Sequence, residues 1–504
     1  MIENYYNKKY TDGFFNVSSN NGFLPIKDPL KVLPYTYKEL QLLIDNLYVF
    51  QNEYKKGILA IPDEIEKAVS IIPDYSEIIE KEHDVFVLQA LFRAYTFITS
   101  GYTLELSYQE FIKNGNYGVA RRLLPQNIAK PLVLVSNKLD VYPWLDYHYA
   151  YSLGNYVKKN DQEGLNWQNL DMACKFTGSK DEVGFIMLHV YINELSPLLV
   201  SSVMDFGKNI SVGNSKIECA RVDYVRNDFI NRNLKLCGNT MEEMNKRRRE
   251  MWVASRHENY NDFRIFIMGI KGNDSIFGDG LVYDGCFDNN PQQFRGQTGA
   301  QDNIIPMIDI FSGVVDYYPE NDLTKYLLDL RSYRPKCIQD FFEDLRSYYK
   351  SNPVLKLLEK TENIEGLIYL LKIVDEVYLF RNGHWQFVQK YIMSNTKYAF
   401  ATGGTPITTW LINQIECVLE YERIIINVIN NVINNVINNV INNNDSIFDI
   451  NNLVNKELFI SLEESYNRKK QLLLDQITEL KSINYDINVV YMKNDELKLN
   501  DKSI

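Results

Sequence analysis

The feature that most constrains this chain is the run from Gly184 to Met204, which is apolar on most sides and broken by only a few polar residues. A helix without a polar face has to be surrounded by protein, so the chain must build a large domain around it. Its neighbours in sequence also favour helices. Leu40, Leu43 and Leu47 recur at helical spacing between Thr36 and Asn52, and Val87, Leu91 and Tyr95 do so between Val85 and Phe97. Further helical stretches are expected at 241–271, 302–316, 336–349, 364–396 and 407–429, while strand-like alternation is hard to find. The expected fold class is mainly α.

At about 150 residues per domain, a chain of 504 residues has room for about two to four domains. Polar, glycine-containing stretches at 158–164 and 177–181 mark the best boundary. Residues 1–175 are therefore read as a smaller, mostly helical N-terminal domain and 176–425 as a large all-helical domain. Residues 426–504 form an extension. It opens with a repeat of Val-Ile-Asn-Asn between Asn427 and Asn444, whose period of four drifts about 40° per repeat on an α-helix. That low-complexity tract either prolongs the preceding helix or is disordered. From Lys456 to Ile483 an amphipathic stripe of Leu458, Leu462, Tyr466, Leu473, Ile477 and Leu480 packs on its own protein or pairs with a second copy.

Charge and cysteine usage narrow the partners. Lys and Arg number 54 against 65 Asp and Glu, and the one basic run, Lys246-Arg247-Arg248-Arg249, lies among Glu242, Glu243 and Glu250. Nucleic acid is excluded as the main partner, because tracking phosphates takes a clustered basic surface. Six cysteines lack any C-x-x-C spacing, which argues against a disulfide framework or a cysteine zinc site and fits a reducing compartment. The N-terminus has no basic region followed by an apolar one, and no apolar run approaches the ~18 residues of a membrane span. A cytoplasmic protein with no membrane partner is expected.

With five histidines, each context is informative. His83 and His257 sit among charges and read as surface residues, and His148 lies in the aromatic cluster Tyr147-His148-Tyr149-Ala150-Tyr151. His189 interrupts the buried run. It is either a core histidine bonded to a backbone carbonyl or a polar group lining a cavity. His384 follows Arg381-Asn382-Gly383 and has Phe380, Phe387 and Val388 one turn away. An imidazole on such an apolar wall suits an axial ligand for haem iron. Two glycine-rich loops, Phe294 to Gln301 and Ala401 to Pro406, each open a helix and serve equally well as helix caps or as close backbone approaches to a ligand.

Taken in order, these segments resemble the indoleamine 2,3-dioxygenase family of haem enzymes. The resemblance runs from Leu123-Leu124-Pro125-Gln126-Asn127-Ile128-Ala129-Lys130-Pro131 through Gly280-Leu281-Val282-Tyr283-Asp284-Gly285, the Phe294–Gln301 loop and Ile308-Asp309. It continues to His384, Lys390-Tyr391-Ile392 and Thr402-Gly403-Gly404-Thr405, covering roughly residues 30 to 420. The resemblance implies a large helical domain holding haem b, and oxidative opening of the indole ring of L-tryptophan, or a related indoleamine, by dioxygen to N-formylkynurenine. A reductant keeps the iron ferrous.

By position, His384 is implied as the proximal iron ligand, with Arg381 and Asp309 as a polar pair behind it. Phe185 and His189 fall on the distal wall, Arg264 grips the substrate carboxylate, and Tyr260 joins the substrate pocket. Gly296, Thr298 and Gly299 lie against haem edge and substrate, and Thr402 carries the hydroxyl of a mobile loop. The chain departs from the animal enzymes at His189, where they have serine, at Asn259-Tyr260, where they have two phenylalanines, and at Gln297, where they have glycine. The Val-Ile-Asn-Asn tract and the C-terminal helix have no counterpart there. His189 can bond either the indole N–H or the iron-bound oxygen. The rival class is a non-enzymatic haem sensor or scaffold acting through the C-terminal helix.

Overall fold

The computed structural model describes residues 9–52, 55–212, 220–320, 322–395, 402, 410–442 and 455–482. Its frame is helical: α1 (Val85–Asn114), α2 (Gln126–Leu139), α3 (Lys180–Asn193), α4 (Ser196–Val212), α5 (Ala220–Arg249), α6 (Ile304–Ser312), α7 (Lys336–Ser351), α8 (Ile364–Phe387), α9 (Trp410–Asn442) and α10 (Lys456–Ser482). Among the described residues the strands form only two-stranded ribbons. One of them pairs Leu123–Leu124 in parallel with Val282–Tyr283, joining two segments far apart in sequence. The apolar core runs without a break from Tyr10 to Ile477.

The run from Gly184 to Met204 is not one helix. Ser179 caps α3 by accepting from the Glu182 amide, with Asp181 and Glu182 favourably placed in the positive first turn. The chain then breaks at Glu194, and α4 restarts with Pro197 in its first turn. Gly184 is needed where α3 crosses the short helix Met251–Ala254, because a Cβ there would lie 1.9 Å from the Ala254 carbonyl oxygen. The expectation about apolar runs also needs correction. Lys180–Lys208 contains a window apolar enough to cross a membrane by length and composition, although 56% of that window is buried inside the protein.

Several boundaries differ from expectation for identifiable reasons. The helix expected at 241–271 ends at Arg249 and gives way to four short turns: Met251–Ala254, His257–Asn259, Tyr260–Arg264 and Ile265–Ile267. Asp181 pins this region, accepting from the Arg256 amide at 2.7 Å and from the Asn259 side chain at 2.7 Å. The stretch 36–52 is helical only over Lys38–Asn46, and Phe50–Asn52 pairs with Lys55–Lys56 as a ribbon. The expected helix 302–316 breaks at Gly313, whose φ of 97° ends α6. Beyond Phe387, α8 widens into a π-type turn over Val388–Met393. The asparagine repeat continues α9 as a helix to Asn442, with Ile425, Ile429 and Val432 turned inward; its last two residues lie outside the described residues.

The stripe on α10 packs on its own chain. Phe459, Leu462, Leu473 and Ile477 are buried against α8 and α9.

Candidate active site

The first wall of the site comes from α3. Phe185 and His189 lie one turn apart, with ring centroids 5.7 Å apart. Nδ1 of His189 lies 3.0 Å from the Phe185 carbonyl oxygen. A carbonyl only accepts, so Nδ1 carries the proton of the neutral ring. Burial lowers the pKa of His189, with the Asp302 carboxylate opposing in part. The neutral ring therefore presents Nε2 as a lone pair. A Cβ on Gly299 would sit 3.6 Å from that nitrogen, so the Gly296–Gln301 loop faces it. One nitrogen of His189 is thus bonded to backbone, and the other lies toward Gly299.

An aromatic wall surrounds Phe185, with Tyr260 at 4.9 Å, Phe263 at 5.6 Å and Tyr391 at 6.2 Å. The π-type turn after α8 is what brings Tyr391 round to this wall. Asn259 takes no part in it, because its amide is tied to Asp181. Arg264 is fully buried and donates to the Tyr117 hydroxyl at 3.0 Å. Burial pushes the Tyr260 phenol up to about 12, while the neighbouring Arg264 guanidinium pulls the other way. Arg264 and Tyr260 thus place a fixed charge and a hydroxyl beside the rings.

The opposite wall is α8. Arg381 Nη2 donates to Asp309 Oδ2 at 2.6 Å and contacts the Tyr318 hydroxyl at 2.9 Å, and Nη1 donates to the Gln414 carbonyl at 2.7 Å. Tyr318 also donates to Asp309. Burial works against the Arg381 charge, but the Asp309 carboxylate, with Tyr318 and Cys417 beside it, more than restores it. His384 lies one turn on, exposed to solvent although protein surrounds it. Its pKa falls to about 4, first through burial and then through the charges of Arg248 and His189. The two imidazoles are close enough to feel each other's charge across the space between α3 and α8. Among the described residues, no hydrogen bond engages the His384 ring. Gly383 leaves room for Arg248, since a Cβ there would meet its guanidinium at 1.9 Å.

These residues fit haem. His384 is a neutral nitrogen donor with a free face on an apolar wall, which is the donor an axial position requires. Among the described residues no three His, Cys, Asp or Glu side chains converge as a metal set. A single imidazole matches a metal carried in its own macrocycle, whose remaining ligands are not protein side chains.

Thr402 meets the Gly296–Gln301 loop and Gly269. Thr402 Oγ1 donates to the Gln297 carbonyl at 2.9 Å, and the Gly269 amide donates to the Thr402 carbonyl at 2.7 Å. A Cβ on Gly296 would lie 2.4 Å from the Gly269 nitrogen and 2.7 Å from the Thr402 oxygen, so glycine is required for the loops to cross. Thr298 caps the short turn Gly299–Gln301 in a reciprocal box with Gln301. The capping role is therefore real for this loop. Gly403, Gly404 and Thr405 lie outside the described residues.

The structure thus gathers Phe185, His189, Tyr260 and Gly299 at one wall and Arg381 and Asp309 at another, with His384 facing between them. Tyr117, Gly269, Tyr318 and Asp302 complete the site without having been singled out from sequence. Tyr117 lies 147 residues from Arg264 and Gly269 lies far from Thr402, and no local spacing announces either contact. His148 is a packing residue, fully buried with Nε2 3.0 Å from the Asn303 amide.

A family model described as indoleamine 2,3-dioxygenase matches residues 12–409. The chain is 24% identical over 388 residues to indoleamine 2,3-dioxygenase 1 of Rattus norvegicus, covering 76% of this chain and 85% of that protein. It is 25% identical over 437 residues to indoleamine 2,3-dioxygenase acdA of Aspergillus candidus, covering 80% and 96%. It is also 25% identical over 395 residues to 6-hydroxytryptophan 2,3-dioxygenase fscD of Fusarium equiseti, covering 75% and 84%. With four-fifths of its length inside that match and a helical fold built around it, the chain belongs to the indoleamine 2,3-dioxygenase family.

Proposed function

We propose that the protein holds haem b through His384 and opens the indole ring of L-tryptophan, or a close indole relative, with dioxygen to give N-formylkynurenine. The observation that carries this is the pairing of an imidazole on α8, which has no hydrogen bond among the described residues, with an aromatic wall and a buried guanidinium beside the His189 whose charge it feels. Membership of a dioxygenase family that uses haem supports the same reading. A relative named for 6-hydroxytryptophan keeps ring-substituted tryptophans within the substrate class.

Bound haem supplies the iron at which dioxygen is activated, so the protein's share is binding, orientation and exclusion of water. Arg264 holds the substrate carboxylate with its planar fork. Phe185 and Tyr260 stack on the indole. Nε2 of His189, carrying a lone pair because Nδ1–H is given to the Phe185 carbonyl, accepts the indole N–H. The same tautomer has no proton at Nε2, so that nitrogen can only accept, which favours the indole N–H as its partner. Gly299 leaves that nitrogen uncovered. Gly296, Thr298 and Thr402 bring the two loops against the haem edge and the amino acid. Arg381 and Asp309 anchor the helix that presents His384. Positioning of this kind is worth several kcal/mol, and up to about 7–11 kcal/mol in the most favourable cases. Both oxygen atoms enter product, so a reductant is needed only to return ferric protein to the ferrous state. Free cysteines at 174, 237, 286, 337 and 417 accord with a cytoplasmic setting. A scaffold working through the C-terminal helix is disfavoured, because the apolar stripe of α10 is buried in its own chain.

The test is turnover of haem-loaded, reduced protein with L-tryptophan and isotopically heavy dioxygen. N-formylkynurenine carrying two heavy oxygen atoms is expected. No product from fully loaded protein with tryptophan or ring-substituted tryptophans rejects the proposal.

A further inference from the structure

The family match ends at residue 409, yet α10, which starts at Lys456, is built into the wall that presents His384. Its central residue is Lys469, 5% exposed. The ammonium is paired with Asp375 of α8, donates to the Glu422 carboxylate of α9 at 2.9 and 3.1 Å, and lies 4.4 Å from the centre of the Tyr378 ring. Ser465 donates to Asp375 at 3.4 Å, and Asn455, just before α10, donates to the Tyr369 hydroxyl at 3.1 Å. Phe459, Leu462, Leu473 and Ile477 bury the rest of the same stripe.

A buried ammonium is expensive to desolvate and contributes little net stability, so its use lies in fixing one docking geometry over others. Here it fixes the spacing of α8 and α9 from outside. Asp375 precedes His384 by nine residues, about two and a half turns, which puts the two on opposite sides of α8. The strap grips the face of α8 away from His384. Arg381 bridges the same two helices on the inside, through Asp309 of α6 and the Gln414 carbonyl and Cys417 sulfur of α9. Two polar ties, one on each side, thus hold α8 against α9, one about two and a half turns and the other one turn before His384.

We infer that α10 is a strap that holds the haem-bearing helix in place, with Lys469 as the positioning residue through which it grips Asp375 and Glu422. Lys469 touches neither substrate nor haem; it acts through α8. The inference rests on His384 being the haem ligand, but its mechanical part concerns α8 whether or not haem is bound.

The experiment compares full-length wild type with Lys469→Met, which keeps the stem and removes the charge. Burial pushes the Glu422 carboxyl up to about 7, so it can take a proton when Lys469 is lost. Glu422→Gln, which keeps a hydrogen-bond acceptor, serves as a milder second variant should Lys469→Met not fold. Hydrogen exchange of the haem-free protein should show faster exchange over Asp375 to Phe387 in the variants. Haem transfer to excess apomyoglobin should be about tenfold faster, the low end of what support of a metal ligand is worth. Unchanged exchange in α8 and an unchanged haem transfer rate, with only a lower melting temperature, would overturn the strap and leave α10 as a cover. Failure of wild type to take up haem would instead strike the functional proposal, while the exchange measurement would still decide the strap.

Discussion

Arg381 Nη2 and Asp309 Oδ2 lie 2.6 Å apart in the interior, and the other arm of the same guanidinium reaches the Gln414 carbonyl at 2.7 Å. One side chain therefore ties α6, α8 and α9 together a single turn before His384. A charge this deep is tolerable only with its counter-charge present. Removing Asp309 leaves Arg381 buried and opposed only by neutral groups. Asp309→Ala should cost about 3–5 kcal/mol, read from urea denaturation of the haem-free protein. A loss below about 1 kcal/mol, the range of exposed pairs, would show that the pair is not holding the helices.

The substrate carboxylate is assigned to Arg264. Arg264→Lys keeps the charge but loses the planar fork, so KM for L-tryptophan should rise about tenfold, the value of one charge-assisted hydrogen bond. Tryptamine, which has no carboxylate, should show nearly the same kcat/KM with both proteins. An equal loss on tryptamine would move Arg264 out of that role.

His189 is assigned to the indole N–H through Nε2. His189→Ala should lower kcat/KM for L-tryptophan by about two- to tenfold, one neutral hydrogen bond, and leave 1-methyltryptophan nearly unaffected. Acid should act through the same nitrogen. The pKa of His189 is lowered from its ordinary value, so the lone pair is available at neutral pH and is lost only as pH falls below that value. The acid limb of the kcat/KM profile for L-tryptophan should therefore be shallower in the variant. Equal slowing of both substrates would contradict the assignment.

His148 makes a separate pH prediction about stability. It is fully buried and neutral, its pKa pushed down to about 3 by burial. The unfolded chain takes up this proton near pH 6.5 and the folded chain does not, so stability drops as pH falls below that point. Between pH 6.5 and 5 this one group should cost about 2 kcal/mol. The slope of unfolding free energy against pH should be smaller by nearly one proton in His148→Gln. An unchanged slope would mean that His148 is protonated in the fold.

How much of this was legible in the sequence depends on the range of the interaction. Phe185 and His189, one turn apart in an apolar run, and His384 among Phe380, Phe387 and Val388 are local patterns, and the structure puts each of them on a helix. The helix expected to run to 271 stops at Arg249 because Asp181, far back in the chain, captures the Arg256 amide and the Asn259 side chain. That contact occupies the Asn259 side chain, while Tyr260 and Phe263 supply the wall. The crossing of Gly296, Gly269 and Thr402 is equally silent, since three separate segments meet only in space. Whether the repeat after Asn427 would be helical was open by composition. Its inward Ile429 and Val432 show packing on the core deciding for a helix.

The central claim is that His384 holds haem iron with an open site on the opposite face. The direct measurement is the visible spectrum of dithionite-reduced protein, with and without carbon monoxide, for wild type and His384→Ala. A Soret band that shifts with carbon monoxide in wild type and is lost or altered in the variant is the predicted result. Well-folded wild type that takes up no haem, or a variant with an unchanged spectrum, would contradict it.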